Sequence, residues 1–570
     1  SSATETSEVV IGPYAFKNCV GLRLISSGRP DSNARRVTEI GEGAFEGCSN
    51  LTNAYVFDTA LRSVSDNAFK DCKALTQIEF AAGHDGELIF SLGKKVFENT
   101  RIASLDLPYY VSDVTAESFY GMGELSQITV DVDNAIYMAQ DNVLYTKDGD
   151  ERGKKLIVCP SAREMENGEF KIPYGVEEFD TYAFYNCQNL NSLVFPSNIV
   201  NLEKDVVKDC KYLNSVYIYS GFYQLTPGTG GVFDDIFDGC GYSKQTVTIY
   251  TGRDTQAWKF AIAFNYAKKA IYDPADFEIE EKNGNLTIIS YEDSAEFRDL
   301  VIPAWLVADD GTYKPVTGIA KGVLAKPGMT SVMFLANMKD VDAEAFRIID
   351  PEYEDDVTKD ICADSLKNIY IEEGNEYLKS ENGALYKIKD GKISGLIYYP
   401  VGRTEEEYHA PEELEFIPMG VFRGASNLKK VYIYDNIQGI GSEHFGDYKE
   451  SAAFAGCSNL VAIEIVPSQD TERLKFYGSD QGVLYAREGK ESSRFTTLLY
   501  YPKGERRPAD VTYSAMSYRV VSGCTRIKDM KNCVYLKRIV IPSSVTQIDD
   551  NAFEGSAELK TVEFLGSGIQ

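Results

Sequence analysis

A short phrase returns along this chain: a small residue, an aromatic, a cysteine three positions later, then a leucine and an alternating apolar run. It stands whole in Ala44-Phe45-Glu46-Gly47-Cys48-Ser49-Asn50-Leu51 and in Ala68-Phe69-Lys70-Asp71-Cys72-Lys73-Ala74-Leu75. Further copies are Ala183-Phe184 with Cys187 and Leu190, Ala453-Phe454 with Cys457 and Leu460, and Ala552-Phe553 with Ser556 and Leu559. A unit of this length cannot bury its own apolar face, so copies must stack on one another. The phrase describes a scaffold and contains no reaction chemistry.

With the aromatic as register mark, the slots fall at Phe16, Phe45, Phe69, Phe97, Phe119, Phe184, Val207, Phe237, Leu324, Phe346, Phe422, Phe454, Met530 and Phe553. Several are 22 to 24 residues apart, the length of one coil of a leucine-rich-repeat solenoid. After the cysteine come Leu, two polar residues and an apolar-x-apolar triplet, as in Leu193-Val194-Phe195-Pro196, Val431-Tyr432-Ile433 and Ile539-Val540-Ile541-Pro542. Such alternation is a short half-buried strand, and a closing Pro stops the ladder and turns the chain outward. A second apolar pair follows, as in Val545-Thr546-Gln547-Ile548, before the next Ala-Phe fills a tight turn.

Within the two blocks three separations are far longer, 65 residues before Phe184 and 76 before both Phe422 and Met530. Each holds the same cassette: Tyr137, Val143-Leu144-Tyr145 and Leu156-Ile157-Val158-Cys159-Pro160; Tyr377, Ala384-Leu385-Tyr386 and Leu396-Ile397-Tyr398-Tyr399-Pro400; Tyr477, Val483-Leu484-Tyr485 and Leu498-Leu499-Tyr500-Tyr501-Pro502. Two apolar runs around a polar turn predict a β-hairpin that widens one coil. The rhythm breaks at 255–264, where Thr255-Gln256-Ala257-Trp258-Lys259-Phe260 opens an amphipathic helix suited to capping an open end, followed by Asp273-Pro274-Ala275-Asp276. The expected architecture is a repeat solenoid, a β-rich α/β fold of two right-handed leucine-rich-repeat blocks, 1–272 with its terminal helix and 273–570.

Eight of the eleven cysteines, Cys19, Cys48, Cys72, Cys187, Cys210, Cys240, Cys457 and Cys533, share one repeat position. A shared position means a shared environment, and stacking at about 4.8 Å favours a ladder of buried thiols, a spacing that also permits bridging of neighbours. Cysteine usage therefore leaves the redox compartment open. The 58 basic and 86 acidic side chains leave a net charge of −28, which repels nucleic acid and anionic lipid. No run of about 18 apolar residues can cross a bilayer as a helix. The opening Ser1-Ser2-Ala3-Thr4-Glu5-Thr6-Ser7 suits a tether just after a signal or lipid-anchor site, and an expression design equally.

The phrase Ala-Phe-x-x-Cys-x-x-Leu-x-x-Ile-x-Ile-Pro, with the cassettes and the Thr287-Ile288-Ile289-Ser290-Tyr291 restart, resembles the BspA-like class of leucine-rich repeats known from surface proteins of Bacteroides-type bacteria. The resemblance implies a secreted or surface-anchored protein whose relatives bind host extracellular proteins or other bacteria. It transfers no catalytic residue, because that class has no active-site motif to match.

Chemistry-bearing motifs are scarce. His84, His409 and His444 stand far apart, with none in a metal-ligand or dyad spacing, and neither a phosphate loop nor a Gly-x-Ser-x-Gly elbow occurs. The acidic runs Glu352-Tyr353-Glu354-Asp355-Asp356 and Glu405-Glu406-Glu407 lack the calcium-loop pattern and read as linkers. A paired-carboxylate hydrolase remains open, since such pairs are defined in space. No cofactor is implied, and the expected class is a non-enzymatic binding protein.

The stronger signal is geometric, because the middle residue of each apolar-x-apolar triplet faces away from the core. In the first block these are Arg23, Tyr55, Glu79, Asp106, Thr129, Val194, Tyr217 and Thr248; in the second they are Met333, Tyr370, Tyr432, Glu464, Val540 and Glu563. Met333, Tyr370 and Tyr432 follow one another in slot order and predict a thioether and aromatic stripe on a concave sheet. The candidate ligand residues are Tyr370, Tyr432, Met333, Tyr217, Tyr55 and Glu464. Their expected partner is a host or bacterial protein or, as the competing reading, a surface glycan taken up as nutrient. A non-binding spacer is the third reading, since Tyr also favours strands for its own sake.

Overall fold

The computed structural model describes residues 8–26, 36–56, 60–80, 90–148, 152–199, 202, 204–220, 235–292, 298–349, 352, 357–441, 450–469, 475–487, 494–504 and 517–566. His84, His444, the opening heptapeptide and 353–356 lie outside them. The chain divides into two compact units, Ser1–Ile271 and Tyr272–Gln570.

Within each of the stacked sheets, successive coils contribute one short parallel strand apiece. In the first unit, the second apolar pair of each coil makes one sheet, Glu8–Ile11, Arg36–Ile40, Ser63–Val64, Phe90–Leu92 and Val111–Asp113. The triplet strands make the other face: Leu24–Ser26 beside Asn53–Val56 and Gln77–Phe80, then Ser104–Leu107 beside Gln127–Val130. Beyond the first cassette, Glu169–Lys171, Ser192–Phe195, Ser215–Ile218, Thr248–Gly252 and Ala267–Tyr272 form one sheet in that order. The second unit repeats the scheme with triplet strands at Asp299–Val301, Ser331–Phe334 and Asn368–Ile371, at Glu407–His409, Lys430–Tyr434 and Ala462–Val466, and at Ser517–Arg519, Arg538–Ile541 and Thr561–Phe564.

The Ala-Phe turn between the two sheets is where coils lock together. Rings stack at 5.1 Å for Phe16–Phe45, 5.2 Å for Phe45–Phe69, 5.8 Å for Phe69–Phe97 and 5.5 Å for Phe422–Phe454. The backbone beside each ring visits the left-handed region twice, at Tyr14 and Asn18, Gly43 and Gly47, Asn67 and Asp71, and Lys95 and Asn99, with φ between 55° and 74°. That conformation suits Asn, Asp and Gly, and it aims the intervening N–H along the solenoid. Phe16 N thus donates to Ala44 O at 2.7 Å, and Phe45 N to Ala68 O at 2.8 Å. At Gly47 a side chain has no room, because a Cβ there would lie 2.2 Å from Asn18 Oδ1 of the neighbouring coil.

The repeated cysteine has a defined task. Cys48, Cys72, Cys210 and Cys457 each donate from Sγ to the carbonyl of the aromatic one coil back, Phe16, Phe45, Phe184 and Phe422, all at 3.1 Å. Ser556, which stands in the same slot of the last coil, does this with its hydroxyl, at 2.9 Å to Met530 O. The slot therefore selects a small donor, and the described cysteines are free thiols. Burial pushes the thiols of Cys72 and Cys457 up to about 12.

The cassettes differ from the expected hairpin. Each has three antiparallel strands, because the polar segments Tyr137–Gln140, Leu378–Glu381 and Tyr477–Asp480 pair ahead of the two apolar runs. Their lack of apolar alternation concealed them. The last strand of each cassette then joins the parallel stack, Arg152–Val158 with Glu178–Phe179, Lys392–Tyr398 with Phe416–Ile417, and Phe495–Tyr500 with Arg526–Ile527. It supplies rungs that the slot count missed: Cys159 N donates to Ala183 O at 2.8 Å, Tyr501 N to Asp529 O at 3.1 Å, and Tyr500 stacks on Phe454 at 5.4 Å. A cassette is thus a hairpin with a coil of its own.

Between Phe346 and Phe422 the seam is closed by buried charge. Asp360 takes both Nε and Nη2 of Arg423, at 2.6 and 3.0 Å, while Arg347 donates to the carbonyls of Gly420 and Arg423. Helices are few among the described residues, the longest being Gln256–Ala263. Thr255 caps it by accepting from Trp258 N, and Phe260 packs against Phe237 at 6.0 Å. No helix among the described residues is long and apolar enough to cross a membrane.

Two outcomes follow from the stacked turn. Replacing Phe454, fully buried between Phe422 and Tyr500, by Ala is expected to cost about 3–5 kcal/mol in denaturant unfolding, and replacing the half-exposed end ring Phe16 far less. Alkylation of the native protein at pH 8, followed by peptide mapping, is expected to mark the exposed Cys19 first and to spare Cys72 and Cys457, whose raised pKa leaves almost no thiolate.

Candidate functional site on the outward strand faces

In several triplet strands the flanking residues are buried and the middle one is not, as in Val216-Tyr217-Ile218 and Val431-Tyr432-Ile433. Parallel pairing in register places middle residues of successive coils side by side, so each sheet displays a short row.

In the first unit Tyr55 stands between Ser26 and Glu79. Its hydroxyl lies 3.2 Å from Asn53 Nδ2 and 3.5 Å from Gln77 Oε1, within a polar network on the strand face. Farther along, Asp106 accepts from the Thr129 hydroxyl, and with Glu79 and Asp131 these residues line a cleft of about 420 Å³. The sheet beyond the cassette carries Lys171, Val194, Tyr217 and Tyr250 in register. Tyr217 and Tyr250 stack at 4.4 Å with planes 14° apart, and Lys269 Nζ lies 5.8 Å from the Tyr250 centroid. Burial, then the neighbouring Tyr250, raises the Tyr217 pKa, so both effects keep its hydroxyl a donor.

In the second unit Met333 lies opposite Tyr370, which is 52% exposed. Tyr432 sits between His409 and Glu464. The imidazole of His409 stacks on Tyr432 at 4.3 Å with planes 5° apart, and Glu464 Oε2 accepts from Ser479 Oγ of the next cassette at 3.3 Å. A further cleft, of about 890 Å³, has Lys389 and Lys392 at a cassette tip facing Glu412, Glu413 and Glu415. Among the described residues no group of three or more His, Cys, Asp or Glu side chains is placed to hold a metal ion.

The structure therefore joins Met333 with Tyr370 and Tyr432 with Glu464, but not Tyr370 with Tyr432. The strands of Tyr370 and Tyr432 belong to separate sheets, with the second cassette between them in the chain, and the strand beside Tyr432 is Glu407–His409. That strand is two coils' worth of chain beyond Tyr370 and was concealed because Glu405-Glu406-Glu407 reads as a linker and only Tyr408 of the triplet is apolar in. Two other positions shift. Ser26, not Arg23, shares the row with Tyr55, and Tyr250, not Thr248, shares it with Tyr217. Tyr250 was legible as the outward residue of Thr248–Gly252, where Ile249 is the buried partner of Val216. Val194 and Val540, though in the rows, are themselves buried, leaving less apolar surface than the triplets imply.

A profile of the BspA type leucine-rich repeat region matches in six copies over residues 4–126, 163–229, 405–465 and 523–569, more than half of the chain. Solved structures that align include a leucine-rich cell surface protein from Faecalibacterium prausnitzii A2-165, 14% identical over 95% of this chain and 87% of that one, with a TM-score of 0.25. A leucine-rich repeat protein from Bacteroides ovatus ATCC 8483 is 15% identical over 99% and 91%, with a TM-score of 0.23. The pneumococcal vaccine antigen PcpA is 15% identical over 81% and 78%, with a TM-score of 0.26. The family assignment rests on the profile and not on these superpositions. No curated protein matches in sequence.

Stacked cross-strand rings contribute about 0.2–1 kcal/mol beyond their separate burial. A double-mutant cycle on His409 and Tyr432, read by chemical denaturation, is expected to return a coupling in that range, whereas a cycle on Tyr370 and Tyr432 is expected to return none.

Proposed function

This chain belongs to the BspA-type leucine-rich-repeat family, and from that premise we propose that it is an extracellular or cell-surface adhesion protein, without catalytic activity, that recognises a protein ligand through its outward strand rows. On this reading the blocks 1–272 and 273–570 are two domains, each with its own row, and anchoring through a lipid site upstream is one way of holding them at the surface.

The observation that carries the proposal is the pair of outward aromatic stacks, the half-buried Tyr217–Tyr250 and Tyr432 with the exposed His409, on strands whose other outward residues are mostly polar. Large side chains held rigid by a neighbour lose little entropy on binding, which makes them suited to anchoring a partner. Glu464 extends the His409–Tyr432 row, while Tyr55 and the pair Met333–Tyr370 stand in rows of their own. Glycan capture is the weaker reading at the first stack, because a sugar needs a free ring face. Tyr250 lies on the strand between those of Tyr217 and Lys269, with a contact to each.

The test is a screen of the intact chain against extracellular-matrix proteins and a glycan array, repeated with Tyr217→Ala/Tyr250→Ala and with His409→Ala/Tyr432→Ala. A matrix-protein ligand lost at least about tenfold in one of the two variants, with the unfolding midpoint nearly kept, is the expected result. Glycan binding alone would replace adhesion by capture, and two empty arrays would leave the spacer reading.

A further inference from the structure

Charge is unevenly distributed at the end of the first unit. Residues 241–272 hold Lys244, Arg253, Lys259, Lys268 and Lys269 against the single acid Asp254, within a chain of net charge −28. Lys244 is neutralised by an ion pair with Asp235. Lys268 and Lys269 meet rings and no carboxylate among the described residues: Lys268 Nζ is 5.4 Å from the Trp258 centroid, and Lys269 Nζ is 5.8 Å from that of Tyr250. Alternation along Ala267–Tyr272 sends these two lysines to opposite sides of the strand, so Lys269 alone ends the outward row of Val194, Tyr217 and Tyr250.

This row offers little ring face, because Tyr250 is flanked by its two neighbours. What it presents outward is ring edges, two phenol hydroxyls and an ammonium, and these are groups that donate to anions. Lysine on the last strand of a sheet also discourages edge pairing, but that role does not account for the Tyr pair beside it. We propose that the Tyr217–Tyr250–Lys269 row binds an acidic peptide segment of a partner protein, its carboxylates taken by the Lys269 ammonium and the two tyrosine hydroxyls. The proposal deepens the adhesion reading and rests on its strand face. Charge complementarity selects the occupant, since the Lys269 ammonium, which meets a ring and no carboxylate among the described residues, draws an acidic segment to this row of a chain of net charge −28.

Fluorescence anisotropy on the full chain tests this with a labelled peptide of alternating Glu and Thr, companion peptides of Gln-Thr and Lys-Thr, and heparin as an anionic glycan probe. The Glu-Thr peptide is expected to bind, the Gln-Thr peptide more weakly and the Lys-Thr peptide not at all, with affinity falling as salt rises. Lys269→Glu is expected to weaken binding about tenfold and Lys269→Arg to keep it, with Tyr250→Phe intermediate. Lys560→Glu, which alters an exposed lysine of the second unit, is the charge-matched control expected to change nothing. Equal binding of the Glu-Thr peptide by the Lys269→Glu protein, equal binding of the Gln-Thr peptide, or heparin binding that needs Lys269 without peptide binding would each overturn the proposal. If a matrix ligand still depends on Tyr217 and Tyr250 while the acidic peptide fails, adhesion stands and only the acidic partner falls.

Discussion

The structure depends on one recurring contact, the stacking of a turn aromatic on that of the next coil. It is seen from Phe16 to Phe97 and from Phe422 to Phe454, and aliphatic packing replaces it where the slot holds Val207, Leu324 or Met530. Rings about 5 Å apart match the spacing of parallel strands, so the ring column and the two sheets enforce the same repeat. The left-handed residues on either side of the ring turn its N–H along the column, and its carbonyl accepts twice, from the N–H of the cysteine three residues later and from the thiol of the next coil. Buried backbone in a tight turn would otherwise carry orphaned polar groups, and here side chain and main chain satisfy them in one repeated arrangement.

A column of this kind tolerates interruption only where something replaces the missing rung. The cassettes do this with their last strand, which puts Cys159, Tyr500 and Tyr501 into the column, and with Tyr398, which stacks on Phe346 at 4.3 Å. At the same seam Asp360 binds Arg423 in a site where all three charged side chains are nearly inaccessible. Two guanidiniums and one carboxylate could not remain there unpaired, which ties the segment carrying Asp360 to the coils of Arg347 and Arg423. One functional consequence is that each strand face is cut into short rows of a few residues. The outward surface is accordingly divided into several small patches of different character: acidic around Asp106 and Asp131, cationic at Lys269, and aromatic at His409 and Tyr432.

The buried turns and the outward rows differ in how far their chemistry could be read in advance. Phe, Cys and Leu at fixed offsets defined the turn, the buried slot and the strand, because each of these depends only on local spacing. The outward rows required the register between coils, which local spacing leaves uncertain by two residues at Thr248 and by a whole strand at His409. The third cassette strand was invisible for a related reason: Leu378–Glu381 is polar apart from its first residue and becomes a strand only because Ala384–Lys389 lies beside it.

The amino-acid sequence by itself determined the stacked architecture and the column members that carry the repeated phrase, since a repeat states the same local instruction many times. The cassette rungs Cys159, Tyr398, Tyr500 and Tyr501 emerged only from the structure. Only the tertiary structure decided which outward residues meet. Whether Tyr432 faces Tyr370 or His409, and whether Tyr250 has Tyr217 and Lys269 on its flanks, follows from which strands pair after the cassettes are inserted. That pairing is a long-range hydrogen-bond choice made between segments tens of residues apart, and no single segment encodes it.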